Sequence, residues 1–119
     1  MAMIREIVSL LEQGVADPEG IDTGVKGSFG LRLAVIGPLQ TMDMGGLDMF
    51  YGGMKNLYPL IERCTEAQKL MAEKVERGEL GLKTGKGFFN YEGGKGLAGS
   101  NPTKDRDKKL LSLLKALGE

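Results

Sequence analysis

The sequence predicts an all-α protein, a single helical domain over residues 1–119 with about five helices and one glycine-rich loop. Apolar residues recur in several separate segments at the i, i+3, i+4, i+7 spacing of an amphipathic helix. No stretch alternates between apolar and polar residues for long enough to build a sheet. Eight of the nineteen glycines fall between residues 78 and 99, which indicates a loop in that region.

The first helix is predicted at the very start of the chain. Its apolar stripe consists of Ile4, Ile7, Val8 and Leu11. Gly14 follows as a stop signal, since glycine readily adopts the left-handed backbone that ends helices. Because nothing precedes this helix as an N-cap, we expect the chain to begin within an element of a longer protein.

Two dipeptides that end in proline mark the starts of the next two helices. Asp17-Pro18 is a good start because the carboxylate accepts free backbone N–H groups and proline suits the first helical position. Ile21 and Val25 are expected to form the inner face of this helix. Gly27 and Gly30 are expected to end it. Gly37-Pro38 repeats the start signal, and Leu39 and Met42 are expected to point inward until Gly45-Gly46 interrupts the helix.

The clearest periodicity in the chain predicts a long helix over four turns. Its members are Leu47, Phe50, Tyr51, Met54, Leu57, Tyr58 and Ile61. Pro59 lies inside the stripe, so a kink or an early end is expected near Tyr58. Asp48 is a candidate cap for the start of this helix.

The second half of the chain predicts two further helices around the loop. Thr65–Arg77 forms one, closed by Gly78 and supported by Glu73 and Arg77 at i, i+4. Within the loop, residues 88–91 are a candidate for a short extended piece. Asn101-Pro102 leads into a last helix with a leucine face made of Leu110, Leu113, Leu114 and Leu117.

Composition excludes several classes of function. Sixteen basic and sixteen acidic residues cancel, so no net charge draws in a nucleic acid or an anionic membrane. The longest apolar stretch, residues 31–39, is far short of the roughly 20 residues of a membrane span, and the N-terminus lacks signal-peptide features. A single cysteine, Cys64, forms no internal disulfide. We therefore expect a soluble, cytoplasmic protein that binds neither nucleic acid nor membranes.

The absence of histidine removes the commonest general base and the commonest metal ligand. Asp22, Asp43 and Asp48 are interpreted as surface carboxylates or caps, and Cys64 as a partly buried thiol without an activating partner. We predict no catalytic, cofactor-binding or metal-binding residue in this chain. The seven methionines are interpreted as core residues, with a flexible pocket for an apolar ligand as the alternative.

Residues 82–87, with the sequence LKTGKG, superficially resemble a phosphate-binding loop. A P-loop requires a glycine five positions before Gly85 and a serine or threonine after Lys86, whereas Leu80 and Gly87 occupy those positions. We interpret the segment as a tight structural turn in which Gly85 and Gly87 adopt positive φ and let Phe88, Phe89 and Tyr91 fold back onto the helices.

Three ordered blocks carry a family resemblance over roughly residues 1–92. Residues 12–23 (EQGVADPEGIDT) are similar to an "EEGVA-x-x-x-DID" turn. Gly37-Pro38-Leu39 followed by residues 43–48 (DMGGLD) is similar to "GPFE-x-x-D-x-x-GLD", and residues 81–91 (GLKTGKGFFNY) are close to "G-x-KTGKGFY-x-Y". These blocks resemble the C-terminal domain of the 3-hydroxyacyl-CoA dehydrogenase family. Leu39 replaces a frequent Phe, which modestly alters the pocket volume, and Gln40 replaces a frequent Glu.

The resemblance implies that this chain is one domain of a longer enzyme in which each domain has its own role. In the family, an N-terminal Rossmann domain, absent from this chain, binds NAD and supplies a catalytic His–Glu pair, and an Asn-Arg segment at the domain junction supplies a substrate-contacting asparagine. The helical domain forms the dimer and closes over the acyl-CoA. The chain alone is then expected to be an inactive, cofactor-free part of an NAD-dependent 3-hydroxyacyl-CoA dehydrogenase of fatty-acid β-oxidation or butanoate-type metabolism.

The resemblance places Gly37, Pro38, Leu39 and Met42 at the substrate-facing edge, and it implies a homodimer. Two alternatives stay open at the level of sequence. The chain could be a stand-alone, non-catalytic helical module that dimerises or binds an acyl ligand, or the same domain from a related dehydrogenase that acts on sugar acids.

Overall fold

The computed structural model of the protein describes residues 1–91 and 101–118. Within these residues the secondary structure is helical, with two isolated bridges (Gly81 with Lys86, and Lys86 with Asn90) and no β-strand. The all-α prediction is therefore confirmed. The chain divides into two compact units, residues 1–68 and 69–119, which are described separately.

The first unit contains five α-helices. Their bounds are Ala2–Glu12 (α1), Pro18–Val25 (α2), Leu31–Leu33 (α3), Pro38–Gly45 (α4) and Leu47–Leu57 (α5). Between α2 and α3 the chain kinks at Ser28, whose backbone is not helical (φ −116°, ψ −114°). The Ser28 hydroxyl donates to the Gly24 carbonyl at 2.6 Å, and such back-bonding by serine often bends helices.

Several of the predicted start and stop signals act as expected in this unit, but Gly27 and Gly30 do not end a helix, because residues 26–30 form a π-helical turn that joins α2 to α3. Gly14, after α1, has a left-handed φ of +66°. The Asp17 carboxylate accepts from the Gly20 amide at 2.7 Å and so caps α2. Helix α5 ends one residue before Tyr58, because Pro59 follows and cannot continue it.

The prediction that Asp48 caps α5 is wrong. The N-cap is Gly46, whose φ of +96° changes the direction of the chain between α4 and α5. No side chain makes a capping hydrogen bond at the start of α5. Asp48 lies in the first turn of α5 instead, where a negative charge still favours the positive end of the helix dipole.

The second unit contains α6 (Lys69–Glu76), a short 3-10 turn (Leu82–Thr84) and α7 (Pro102–Ala116). Helix α7 starts as predicted, with the Asn101 side chain accepting from the Lys104 amide at 3.1 Å. Helix α6 starts four residues later than the predicted Thr65, because the preceding segment makes side-chain bonds to α1. Residues 92–100 of the predicted loop lie outside the described residues.

The expected ion pair between Glu73 and Arg77 is also replaced. Glu73 pairs with Lys69 at 3.6 Å, one turn earlier in α6. Arg77 pairs instead with Glu79, at 3.2 Å from its Nε. The left-handed Gly78 (φ +71°) turns the chain after α6 and brings Glu79 within reach.

Very little of the described chain is fully buried. Val8, 3% exposed, is the one hydrophobic residue of residues 1–91 and 101–118 that is buried, and Ser9 beside it is 6% exposed. Leu39, expected to point inward, is 75% exposed, because the helices of this unit leave its side of α4 uncovered. Met42 and Met54 are partly buried as expected, whereas Met44 and Met49 are exposed, so the methionines are only in part core residues.

Candidate functional site

The start of α4 carries the four residues assigned to the substrate-facing edge. Gly37 is the N-cap, and Pro38 is the first helical residue. The Gly37 carbonyl accepts from the Thr41 amide at 3.0 Å and from the Thr41 hydroxyl at 2.9 Å, which fixes the first turn. Met42 is partly buried, whereas Leu39 projects into open space. Of the four, Pro38 and Leu39 have exposed side chains, and Leu39 is the larger apolar one.

A polar network in the first unit joins α1 to the segment after α5. The Glu62 carboxylate accepts from the Ser9 hydroxyl at 2.9 Å and from the backbone amides of Arg63 and Cys64 at 2.7 and 2.8 Å. In return, the Glu6 carboxylate accepts from the Glu62 amide. Each carboxylate thus satisfies donors on the other segment, which holds residues 62–64 against α1.

Two further hydrogen bonds extend this network. Arg5 Nη1 donates to the Cys64 carbonyl at 3.3 Å, and Gln68 Nε2 donates to the Arg5 carbonyl at 3.0 Å. These bonds connect residues 59 and 63 positions apart, so no local pattern in the sequence could have indicated them. They explain why the segment before Lys69 is not helical.

The electrostatics of the network favour a structural role. The hydrogen bond from the Ser9 hydroxyl, followed by those from the amides of Cys64 and Arg63, lowers the pKa of Glu62 and keeps it ionised. Burial, followed by the charge of Glu62, raises the pKa of the Cys64 thiol. A thiol held away from the thiolate form is a poor nucleophile, in line with the interpretation of Cys64 from sequence.

A second polar cluster fixes the glycine-rich turn to α6 in the second unit. The Glu79 carboxylate, only 14% exposed, lies 2.9 Å from Lys74 Nζ, 3.2 Å from Arg77 Nε and 3.3 Å from Lys86 Nζ. The hydrogen bond from Lys74, followed by that from Arg77, lowers the pKa of Glu79 to about 2. Lys74 Nζ also donates to the Gly87 carbonyl at 3.0 Å and lies 5.2 Å from the centre of the Phe88 ring.

Glu79 was not singled out by the sequence, although a signal was present. It follows a glycine that ends a helix, and two cationic residues, Lys74 and Arg77, precede it by five and two positions. The third cation, Lys86, comes from the returning segment of the turn, which only the folded structure brings close.

The two glycines assigned to the turn act in different ways. Gly85 has the left-handed backbone (φ +80°) that was expected. Gly87 does not have a positive φ, but a Cβ at Gly87 would lie 2.8 Å from the Cα of Gly81, which is too close for any side chain. Lys86 pairs with Glu79, so its ammonium already has a carboxylate partner in the turn. The ring contact between Phe89 and Tyr91 (6.5 Å between centroids) completes the packing.

The described residues contain no candidate metal-binding group. Among them, no three His, Cys, Asp or Glu side chains gather as metal ligands would, so Asp22, Asp43 and Asp48 form no such group. No helix in the described part of the chain has the length and apolar character needed to cross a membrane. What the chain does offer is exposed apolar surface on its helices.

Comparison with known proteins identifies related domains. Residues 1–91 match the model of the 3-hydroxyacyl-CoA dehydrogenase C-terminal domain. The chain is 38% identical over 90 residues to a 5-formyl-3-hydroxy-2-methylpyridine 4-carboxylate 5-dehydrogenase of Mesorhizobium japonicum. This alignment covers 76% of this chain and 29% of that protein. It is 35% identical over 96 residues to a 3-hydroxybutyryl-CoA dehydrogenase of Bradyrhizobium diazoefficiens, covering 80% and 32%.

A solved structure agrees with these relatives. The crystal structure of a 5-formyl-3-hydroxy-2-methylpyridine 4-carboxylic acid 5-dehydrogenase, described as an NAD+-dependent dismutase, superposes with a TM-score of 0.89 at 32% identity. The match covers 98% of this chain and 37% of that one. The chain thus spans about a third of the length of the proteins it resembles.

Proposed function

The chain belongs to the 3-hydroxyacyl-CoA dehydrogenase C-terminal domain family, and from this premise we propose that it acts as the helical part of an NAD-dependent dehydrogenase for 3-hydroxyacyl-CoA substrates. The observation that carries the proposal is the superposition of nearly the whole chain on about a third of a dehydrogenase. In this proposal the helical domain covers the substrate and forms the subunit contact, within fatty-acid β-oxidation or butanoate-type metabolism.

The chemistry of hydride transfer is assigned to a separate dinucleotide-binding domain. NAD, when bound there, accepts the hydride from the substrate carbon that carries the hydroxyl group. The described residues of this chain offer no parallel sheet with a glycine fingerprint, and the sequence has no histidine to take the hydroxyl proton. These residues therefore do not fit NAD, and the role left to this chain is to exclude water and to orient the acyl group.

Leu39 is the side chain to which we assign this orienting role. It is held on the first turn of α4, whose geometry is fixed by the bonds between Gly37 and Thr41. An exposed leucine at a rigid helix start can cover an apolar acyl chain without reorganising.

A pyridine-ring substrate is the second candidate. The first relative named above and the solved structure both act on a substituted pyridine carboxylate, according to their names, and the first of them shows the highest identity among the relatives named above. In that case the same surface of α4 covers a planar ring in place of an acyl chain.

The proposal is tested by joining this chain to the N-terminal part of the Bradyrhizobium relative in place of that protein's own C-terminal domain. We expect the isolated chain to show no turnover of acetoacetyl-CoA with NADH, and the chimera to be more active than the truncated relative alone. Activity of the isolated chain, or a chimera no better than the truncated relative, would contradict the proposal.

Two substitutions in the chimera test the role of Leu39. Leu39→Asp is expected to raise KM for acetoacetyl-CoA, because a carboxylate cannot cover an apolar acyl group. Val35→Asp is the matched control, since Val35 is equally exposed (77%) but precedes α4. The same chimera assayed with the pyridine aldehyde substrate of the Mesorhizobium relative distinguishes the two substrate classes.

A further inference from the structure

Helix α7 has an apolar face and a polar face on nearly opposite sides. The apolar face consists of leucines that are 36–50% exposed, at the spacing i, i+3, i+4, i+7: Leu110, Leu113, Leu114 and Leu117. The polar face has the same spacing and lines a shallow open groove: Asp105, Lys108, Lys109 and Ser112. Because each residue turns about 100° around the helix axis, residues five positions apart, and therefore the two faces, are separated by about 140°.

The charge of α7 is predominantly positive. The helix contains five basic and two acidic residues, a net charge of +3. Arg106 is paired with Asp107 at 2.7 Å. The other basic residues of α7 form no ion pair with any described part of the chain: Lys104, Lys108, Lys109 and Lys115. A surface that fits both faces of α7 must therefore offer negative charge beside apolar material.

The zero net charge of the chain, from which no binding to anionic membranes was expected, is an average over two unequal halves. Residues 1–68 contain nine acidic and five basic residues, a net charge of −4. Residues 69–119 contain seven acidic and eleven basic residues, a net charge of +4. Because charges on a surface act over roughly 10 Å at ordinary salt concentrations, the lysines of α7 attract anions in spite of the distant acidic residues.

The composition of α7 favours a lipid surface over a protein partner. Tyrosine, tryptophan, phenylalanine and arginine are enriched in protein interfaces and lysine is depleted, whereas α7 has no aromatic residue and four lysines. Leucine opposite lysine is typical of helices that lie in the interface of a bilayer. The 15 residues of α7 span about 22 Å, less than the roughly 30 Å of a hydrocarbon core, so the helix lies along the surface.

We propose that α7 binds the surface of an anionic phospholipid bilayer, with its leucine face among the upper acyl chains and its lysines against the lipid phosphates. The long side chain of lysine allows the ammonium to reach the headgroups while its methylene groups stay with the leucines. The helix lies beyond residues 1–91, the part that matches the family model, so that match assigns no role to it. The proposal does not depend on the dehydrogenase activity of the parent enzyme.

Co-sedimentation of the full chain with vesicles tests the proposal. We expect binding to vesicles of phosphatidylglycerol and phosphatidylcholine in equal parts, weak binding to pure phosphatidylcholine, and a loss of binding as salt is added. Leu113→Gln is expected to weaken binding about tenfold, because an amide cannot replace the buried leucine. Its matched control is Ala116→Gln, which places the same group away from the leucine face and is expected to bind as the original chain does.

The contribution of charge has its own pair of variants. Lys108→Glu reverses one charge on the polar face of α7 and is expected to weaken binding to the anionic vesicles. Lys83→Glu makes the same change in net charge at an exposed lysine of the glycine-rich turn, outside α7, and is expected to have little effect. Circular dichroism without vesicles verifies that all the variants keep their helices.

A fluorescence measurement determines which face enters the bilayer. The sequence contains no tryptophan, so Leu113→Trp and Ala116→Trp each introduce a single reporter. With the anionic vesicles, we expect the emission of Leu113→Trp to shift to shorter wavelength, because the indole moves out of water, and that of Ala116→Trp to stay unchanged.

The other outcomes overturn the proposal in distinguishable ways. An original chain that stays in the supernatant, or that binds neutral and anionic vesicles equally, shows that α7 does not recognise an anionic bilayer. Equal shifts for the two tryptophan variants show that the leucine face does not insert. If Leu113→Gln changes the mass at sedimentation equilibrium but not the binding to vesicles, the leucine face contacts protein instead.

Discussion

At the scale of single residues, the glycine-rich turn depends on two glycines for two different reasons. Gly85 has a left-handed backbone that a β-branched residue adopts only with strain, and Gly87 leaves no room for a Cβ beside Gly81. We expect Gly85→Val and Gly87→Val each to lower the free energy of unfolding by about 1–3 kcal/mol, as measured by thermal melts.

Lys86→Ala is the control for these variants, because Lys86 stands between the two glycines and is 65% exposed. A pair between so exposed a lysine and a carboxylate contributes at most about 1 kcal/mol, so a small change is expected. An ATP titration in parallel checks the structural interpretation of the turn. ATP binding that disappears with Lys86→Ala would show that the turn binds phosphate after all.

The same residues show what the sequence could indicate at this scale. The need for glycine at position 85 follows from the turn itself and is visible in the motif. The need at position 87 arises from the approach of Gly81, which is a contact in space and leaves no mark in the local pattern. The exposure of Leu39 was missed for a related reason, since periodicity predicts a face but not whether another element covers it.

At the scale of helices and turns, Glu79 is the group that ties the glycine-rich turn to α6. Its pKa is lowered to about 2 in the folded chain, from an ordinary value of 4.5, chiefly by the hydrogen bond from Lys74. A carboxyl group with a lowered pKa stabilises the folded state fully above its ordinary pKa, and this contribution is lost as the pH falls from about 4.5 to about 2.

We therefore expect Glu79→Gln to lower the Tm at neutral pH, and the difference in Tm from the original chain to shrink as the pH falls through that range. Thermal melts at a series of pH values measure this difference. Glu76→Gln, at the exposed last residue of α6, is the control and is expected to change the Tm little at any pH. A difference that stays constant down to about pH 2 would show that Glu79 acts by packing and not by charge.

Helix positions were the most predictable feature at this scale, because each helix carries its own start and stop residues. Asp17, Gly37-Pro38 and Asn101 mark starts that the structure contains. The start of α6 could not be predicted, since the segment before it makes hydrogen bonds to α1 from residues 53–63 positions away. Local patterns predict local structure, and these exceptions are long-range polar contacts.

At the scale of the whole molecule, many large apolar side chains of the described residues are exposed. Five leucines of α7 and its C-cap, together with Met44, Met49 and Leu57 in the first unit, are all exposed, and Val8 is the one buried hydrophobic residue in the described part of the chain. The several apolar stripes in the sequence indicated that many apolar side chains are available for packing. No single stripe, however, indicates which surface covers it.

This exposure predicts that the chain associates with itself. Exposed apolar patches beyond a few hundred Å² usually mark interfaces, and a two-fold dimer that buries roughly 800 Å² per partner is the commonest way to cover one. The formal net charge of the chain is zero, so no overall repulsion opposes the meeting of two copies.

We expect sedimentation equilibrium at micromolar concentration to give about twice the chain mass of 12.8 kDa. Because association stabilises the folded state by mass action, the Tm is also expected to rise with chain concentration. A mass near 12.8 kDa across the whole range, with a Tm independent of concentration, would show that the chain folds as a monomer and leaves its leucines in water.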